Sequence, residues 1–178
     1  MNIDARLEQK LGFDRIRSII SDRCSTSYAA GRTATETFST NPSEIRRRLL
    51  LTDEMRLIMM FEDSFPSGGF IDCIDFLKPL ERASTAIDLI SLRKLRTMLD
   101  TLRKVTSFFN GVKDEVYPNL KRMAAPIMGF PEVQRRIDTI MDRYGEVKDT
   151  ASDELYSIRK SLREKEGAIS RRMTAILK

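Results

Sequence analysis

Hydrophobic side chains recur along this chain every three or four residues and hardly ever at every second one. That is the period of an amphipathic helix, not of a strand. The clearest instance comes last. From Ser152 to Lys178, apolar residues fall at Leu155, Ile158, Leu162, Ile169, Met173 and Ile176, with spacings of three, four, seven, four and three. Only Glu166 interrupts a continuous stripe, which is as narrow as a coiled-coil seam. Ser152 is suited to cap this helix, because its hydroxyl can accept an orphan N–H of the first turn. Asp153 and Glu154 add negative charge at the positive end of the helix dipole. A helix of these 27 residues would span roughly 40 Å, so the pattern predicts that it projects from the rest. No Gly, Asn or Pro stops it, and apolar residues run to Leu177. The expectation is a fragment cut in mid-helix. The alternative is a terminal helix that docks back on the body.

The preceding residues read as a set of shorter helices. Ile3, Leu7 and Leu11 predict a first one, capped by Asn2 and broken by Gly12. Asp14 is expected to cap a second, with Ile16, Ile19 and Ile20 inward. An Ala- and Ser-rich stretch from about Ser25 to Thr37 predicts a third. Asn41-Pro42-Ser43 is a start signal, with Asn41 as cap and Pro42 in the first turn, where its missing N–H costs nothing. The helix it opens should run to about Glu62 and face inward through Ile45, Leu49, Thr52, Met55 and Ile58 or Met59. Phe65 to Phe70 is a loop, followed by a short helical turn near Phe76 to Ala83. Asp88 is expected to cap a long helix from Leu89 to Phe109. Its face of Leu92, Leu95, Leu99, Leu102, Val105 and Phe109, with Met98 and Phe108 beside it, makes it the strongest core element. Gly111 ends it. Weaker helices follow over Lys113 to Ala124, with a break possible at Pro118, and from Pro131 through Val133, Ile137 and Ile140. A short extended piece is expected around Gly145 to Lys148. The predicted fold class is all-α: a helical bundle, with a long projecting C-terminal coiled-coil helix.

Charge changes this picture at one place. The net charge is +5, and none of the excess lies before residue 156. Residues 156–178 hold seven basic and two acidic side chains. Arg159, Lys160, Arg163, Arg171 and Arg172 are therefore candidate contacts to a phosphate backbone. The competing reading is the solvated flank of a coiled coil. Arg46, Arg47 and Arg48 form a second basic group, with Glu44, Asp53 and Glu54 in helical reach as surface partners.

Candidate chemistry is sparse. The chain has no histidine, which removes imidazole metal ligands and Ser-His or Cys-His nucleophiles. Ser67-Gly68-Gly69 suggests a phosphate loop, but no strand precedes it and no Gly-Lys-Ser/Thr follows. Asp72 and Asp75 converge with no other catalytic group. Cys24 and Cys73 lack metal or redox spacing and read as buried free thiols of a reducing cytosol. The longest apolar run, Leu57 to Phe61, is five residues, far short of a membrane span. No secretory signal opens the chain.

The residues around the last turn carry a resemblance. Asp142-x-x-Gly145-x-Val147-x-Asp149-x-Ala151-Ser152-x-Glu154-Leu155-x-x-Ile158-Arg159 resembles the N-terminal core of MutS-type proteins. Leu11-Gly12-Phe13-Asp14-x-Ile16 and Leu49-Leu50-Leu51-Thr52-Asp53-Glu54-Met55 agree with it. The early position of the first of these, with no mismatch-reading domain before it, selects the second bacterial branch of the family. One departure is Asp153, where the family often has Pro after the capping Ser; Asp also suits a first helical turn.

The resemblance implies that residues 1–151 are half of the helical core, or lever, domain, and 152–178 the ascending helix of a truncated coiled-coil clamp. It implies an ABC-type ATPase elsewhere in the full protein, binding ATP and Mg2+ and forming a homodimer. A C-terminal Smr nuclease-like domain is common in that branch. DNA repair and recombination, mismatched-DNA binding and ribosome rescue are the implied roles, with DNA or a ribosome as partner, in the cytoplasm. No catalytic, cofactor or metal residue is expected within these 178 residues. Without the resemblance, the same pattern reads as a complete helical adaptor that binds a partner helix through its C-terminal stripe.

Overall fold

The structure is a computed structural model, and it describes residues 5–177. Among these the chain is all-α, with one isolated bridge in place of any strand. It divides between Gly129 and Phe130 into two compact units.

The first unit opens with three short helices: α1 (Ala5–Leu11), α2 (Phe13–Ser21) and α3 (Ser27–Ala34). The expected Asn2 cap and Ile3 lie outside the described residues. Gly12, not Asp14, precedes α2; it takes the left-handed conformation (φ 73°) that glycine adopts without a Cβ penalty, and so turns one helix directly into the next. Arg17 ties these helices together. It donates to Glu8 at 2.7 Å and to the Glu36 carbonyl at 2.6 Å, and it lies 4.9 Å over the Phe13 ring. Phe13 itself stacks on Phe38 at 4.4 Å. The helix expected over Ser25–Thr37 is shorter because the Thr26 hydroxyl accepts the Ala29 N–H, which fixes its start. Ile16, Ile19 and Ile20 remain about half exposed, so the inward face expected for α2 is not closed.

The core lies among α4 (Pro42–Phe61), α6 (Leu89–Gly111) and α7 (Pro118–Ala124). Between α4 and α6 comes α5 (Ile74–Leu77), continued by a 3-10 turn over Lys78–Glu81. Asn41 caps α4 by accepting from Ser43 and Glu44 N–H, and Asp88 caps α6 by accepting from Ser91 N–H, as their sequences predict. Ile58, Val105, Phe108, Phe109, Tyr117, Leu120 and Ala124 form the buried cluster. Phe65, Phe108 and Phe109 meet edge to face at 5.1–6.0 Å, the geometry ring quadrupoles favour.

The inward face of α4 differs from the predicted stripe. Leu51, Glu54, Met55 and Ile58 face the core, while Ile45, Leu49 and Met59 are exposed. The cause is Glu54, a buried carboxylate. It accepts from Asn119 N at 3.1 Å, Asn119 Nδ2 at 2.6 Å and Leu120 N at 2.7 Å. Those amides start α7, which has no capping side chain of its own. Glu54 therefore serves as the N-cap of α7 from a different helix, and burying it satisfies donors that would otherwise be orphaned. The helix expected from Lys113 begins only at Pro118, whose ring suits the first turn but cannot continue a helix from upstream.

One loop is locked to α6 by absence of a side chain. Gly69 has φ 83°, and a Cβ there would collide with the Thr101 hydroxyl. Thr101 is buried; its hydroxyl lies 3.0 Å from the Thr97 carbonyl of its own helix and 3.2 and 3.4 Å from the Gly69 and Gly68 carbonyls, which share its one proton.

The second unit holds α8 (Pro131–Ile140), a tight turn, a 3-10 turn over Asp149–Ala151, and α9 (Asp153–Ile176). Met141 and Val147 form the isolated bridge, the short extended piece expected there. The Asp142 carboxylate accepts from Tyr144 and Glu146 N–H at 2.8 and 2.9 Å, and Gly145 takes φ 82°. Ile137 and Met141 are buried at the root of this unit.

Candidate functional site

The root of α9 is fixed by a short list of polar contacts. The Ser152 hydroxyl accepts the Leu155 N–H at 3.1 Å, as expected of the N-cap. Arg159 reaches back to donate to the Asp149 carboxylate at 2.6 Å and to the Val147 carbonyl at 3.0 Å. Arg163 pairs with the other oxygen of Asp149. These hydrogen bonds, Arg159 first, hold the Asp149 carboxyl below its ordinary range.

Beyond that root α9 buries no side chain. Ile158, Leu162, Ile169 and Met173 are 54–65% exposed and Ile176 is 81% exposed, so the whole apolar stripe past Leu155 is open. The five predicted basic residues divide into two groups. Arg159 and Arg163 are engaged by Asp149, which offsets their charge. Lys160, Arg171 and Arg172 are exposed and have no ion-pair partner among the described residues. At 100° per residue, Lys160 and Arg171 share the face opposite the apolar stripe, and Arg172 lies on the stripe's flank. What α9 offers is an apolar seam flanked by Arg159 and Arg172, with Lys160 and Arg171 on the helix's other face.

The other sequence candidates resolve into structural roles. The Ser67-Gly68-Gly69 loop turns carbonyls toward Thr101 and lacks a lysine, so it does not fit a nucleotide phosphate. Asp72 accepts from the Ser27 hydroxyl at 2.9 Å and from Ile74 N–H, which lowers its carboxyl. Cys24 and Cys73 are free thiols, half-buried rather than fully buried. In the arginine triplet, Arg47 and Arg48 both pair with Glu44, and Arg48 also with Glu36. These contacts pull the Glu44 carboxyl down to about 2, through Arg47 first and then Arg48. Asp53 pairs instead with Arg56, and buried Glu54 is no surface partner at all. Among the described residues, no group of His, Cys, Asp and Glu could hold a metal ion, and no helix is long and apolar enough to cross a membrane.

Comparison with known proteins bears on the α9 arrangement and on the turn before it. Over 178 residues the chain is 28% identical to a protein of Thermomicrobium roseum named Endonuclease MutS2, covering 97% of this chain. A Geobacillus protein of the same name is 26% identical over 175 residues, and one from Clostridium botulinum is 30% identical over 139 residues, or 78% of this chain. The chain is MutS2-like. It spans about a fifth of the length of the curated relatives it matches, between 18% and 22%. No protein-family profile matches it. The likeness to MutS2 runs across both compact units, and so takes in the Glu54 core as well as the Asp149 root.

Proposed function

We propose that this chain is the N-terminal helical stretch of a MutS-like protein acting on DNA. In this reading residues 1–151 form half of a core, or lever, domain. Residues 152–178 form the stem of a coiled-coil clamp that approaches a nucleic-acid backbone. The observation that carries it is α9 itself: an exposed apolar stripe, exposed Lys160, Arg171 and Arg172 on the same helix, and a root held by Asp149. Similarity to proteins named Endonuclease MutS2 supports a nucleic-acid partner. The stretch contributes binding and mechanical coupling. ATP with Mg2+, and any nuclease chemistry, belong to other parts of such a protein, which works as a homodimer in the cytoplasm.

The test is binding of duplex DNA by fluorescence anisotropy across a salt series. Reversing Lys160, Arg171 and Arg172 to Glu should weaken binding and flatten the slope of log K against log salt by up to about 3, at roughly 0.9 per lost phosphate contact. An unchanged affinity and slope would overturn the nucleic-acid reading. Loss of ribosome binding with DNA binding intact would transfer the reading to the ribosome.

A further inference from the structure

Asp149 offers the root of α9 what a phosphate group would offer. Its carboxylate holds two guanidinium groups at once, Arg159 through one oxygen at 2.6 Å and Arg163 through the other. Arginines gathered on an anion with several oxygens are also the means by which proteins grip phosphate. The two are not held equally. Arg159 donates as well to the Val147 carbonyl at 3.0 Å and is 37% exposed. Arg163 has the carboxylate as its one acceptor among the described residues and is 63% exposed. Arg163 is therefore the member of the pair that can leave. We propose that Asp149 is an autoinhibitory contact: it competes with a nucleic-acid phosphate for Arg163 and so restrains binding by α9. The proposal rests on the nucleic-acid reading of α9 and adds a brake to it.

The position of Arg163 gives this competition a consequence. At 100° per residue, Arg163 lies about 60° from Lys160 and about 80° from Arg171 around the helix. The three are exposed and form one cationic strip, roughly 16 Å from end to end at 1.5 Å per residue, with Glu164 at its border. Gly167 falls on the strip between Arg163 and Arg171. With no side chain there, the Arg171 guanidinium leans back along the helix, its Nη1 3.6 Å from where a Gly167 Cβ would stand. While Asp149 holds Arg163, the middle of the strip is neutralised and only its ends carry free charge. A phosphate that takes Arg163 reunites it. The exchange is small in energy, because an exposed ion pair contributes little. It also leaves the root in place: Ser152 still caps α9, and Arg159 still reaches Val147.

The experiment measures duplex DNA binding by the whole 178-residue chain in fluorescence anisotropy over a salt series, with circular dichroism to confirm folding. Asp149→Asn keeps the shape and removes the charge. It should tighten binding up to about fivefold, the scale of one exposed ion pair. It should also steepen the slope of log K against log salt by about 0.9, the value of one more phosphate contact. Adding Arg163→Gln to Asp149→Asn should abolish the gain. A gain that survives Arg163→Gln is a general effect of charge and overturns the proposal, as does a folded Asp149→Asn chain that binds no tighter. A second readout needs no variant. The Asp149 carboxyl of the unaltered chain, held low by Arg159 and then Arg163, is followed by carbon-13 NMR. Saturating duplex should raise its titration midpoint as Arg163 leaves, and a midpoint that stays in place overturns the proposal. The nucleic-acid reading fails separately. Weaker binding on reversal of Lys160, Arg171 and Arg172, beside an Asp149→Asn chain that binds as before, overturns the brake and leaves that reading standing. A gain from Asp149→Asn beside a reversal without effect keeps the brake and removes those three residues from the contact. No binding by either chain at low salt removes both.

Discussion

Helices α6 and α9 are nearly twins in sequence logic and opposites in structure. They hold 23 and 24 residues. Each is capped by a side chain that accepts an N–H three residues on, and each carries an aliphatic stripe. Yet α6 buries Leu99, Thr101, Val105, Phe108 and Phe109, and α9 buries nothing. The difference lies in what borders the stripe. In α6 it widens at its C-terminal end into paired aromatics, which meet Phe65 and Tyr117. In α9 it stays narrow, is broken once by Glu166, and has cations on both sides. A broad face with rings needs several neighbours, and the chain folds around it. A narrow charged seam is satisfied by a single helix.

The contrast can be broken most forcefully by truncating a large side chain on each helix. Phe109→Ala should cost about 3–5 kcal/mol of unfolding free energy, read by urea denaturation. Leu162→Ala, measured at high dilution, should change it by no more than about 0.5 kcal/mol. Equal losses would mean that α9 is packed after all. Next in size is Glu54→Ala, which leaves the Asn119 and Leu120 amides without an acceptor and should cost about 1–3 kcal/mol by the same assay. The caps come third. Asp88→Ala and Ser152→Ala each remove about 1 kcal/mol of helix stability. The first should lower the global transition. The second should speed hydrogen exchange at the Leu155 amide and leave the global midpoint in place.

The smallest effect concerns pH at the exposed start of α4. The Glu44 carboxyl should titrate at about 2 in a carbon-13 NMR series. Because folding lowers its pKa, the stabilisation it gives is complete above its unfolded value of about 4.5 and fades as pH falls toward about 2. A titration near 4.5 would show that its pairs with Arg47 and Arg48 do not persist in solution.

Much of this was legible in the sequence because local chemistry decides it. Asn41, Asp88 and Ser152 cap the helices their positions announce, and the period of Leu99 to Phe109 gives the core face of α6. What sequence reading missed depends on partners distant in the chain. Glu54 looks like a surface acid on a helix, and only the return of Asn119 and Leu120 to it, some 65 residues later, makes it a buried cap. With Glu54 facing inward, Leu49 and Met59 fall on the exposed side of α4. At the candidate site, the basic residues were visible as charge, but not their division. Asp149 lies upstream of the helix it neutralises, and nothing in the count of arginines reveals that Arg159 and Arg163 fold back to it. An acidic residue within three helical turns of a basic cluster, on the far side of a turn, is the signal that could have found it.

The turn from Met141 to Asp149 gives α9 the mechanics of a cantilever. A backbone bridge, the Asp142 carboxylate and the Lys148 ammonium on the Asp138 carbonyl close the bend upon itself, so it has little freedom to swivel. The beam that leaves it is about 36 Å long at 1.5 Å per residue, and its two stays, Arg159 and Arg163, sit within its first three turns. A sideways load farther along it therefore acts through its longest lever at Asp149. That carboxylate is where two guanidinium groups hold the arm to its turn.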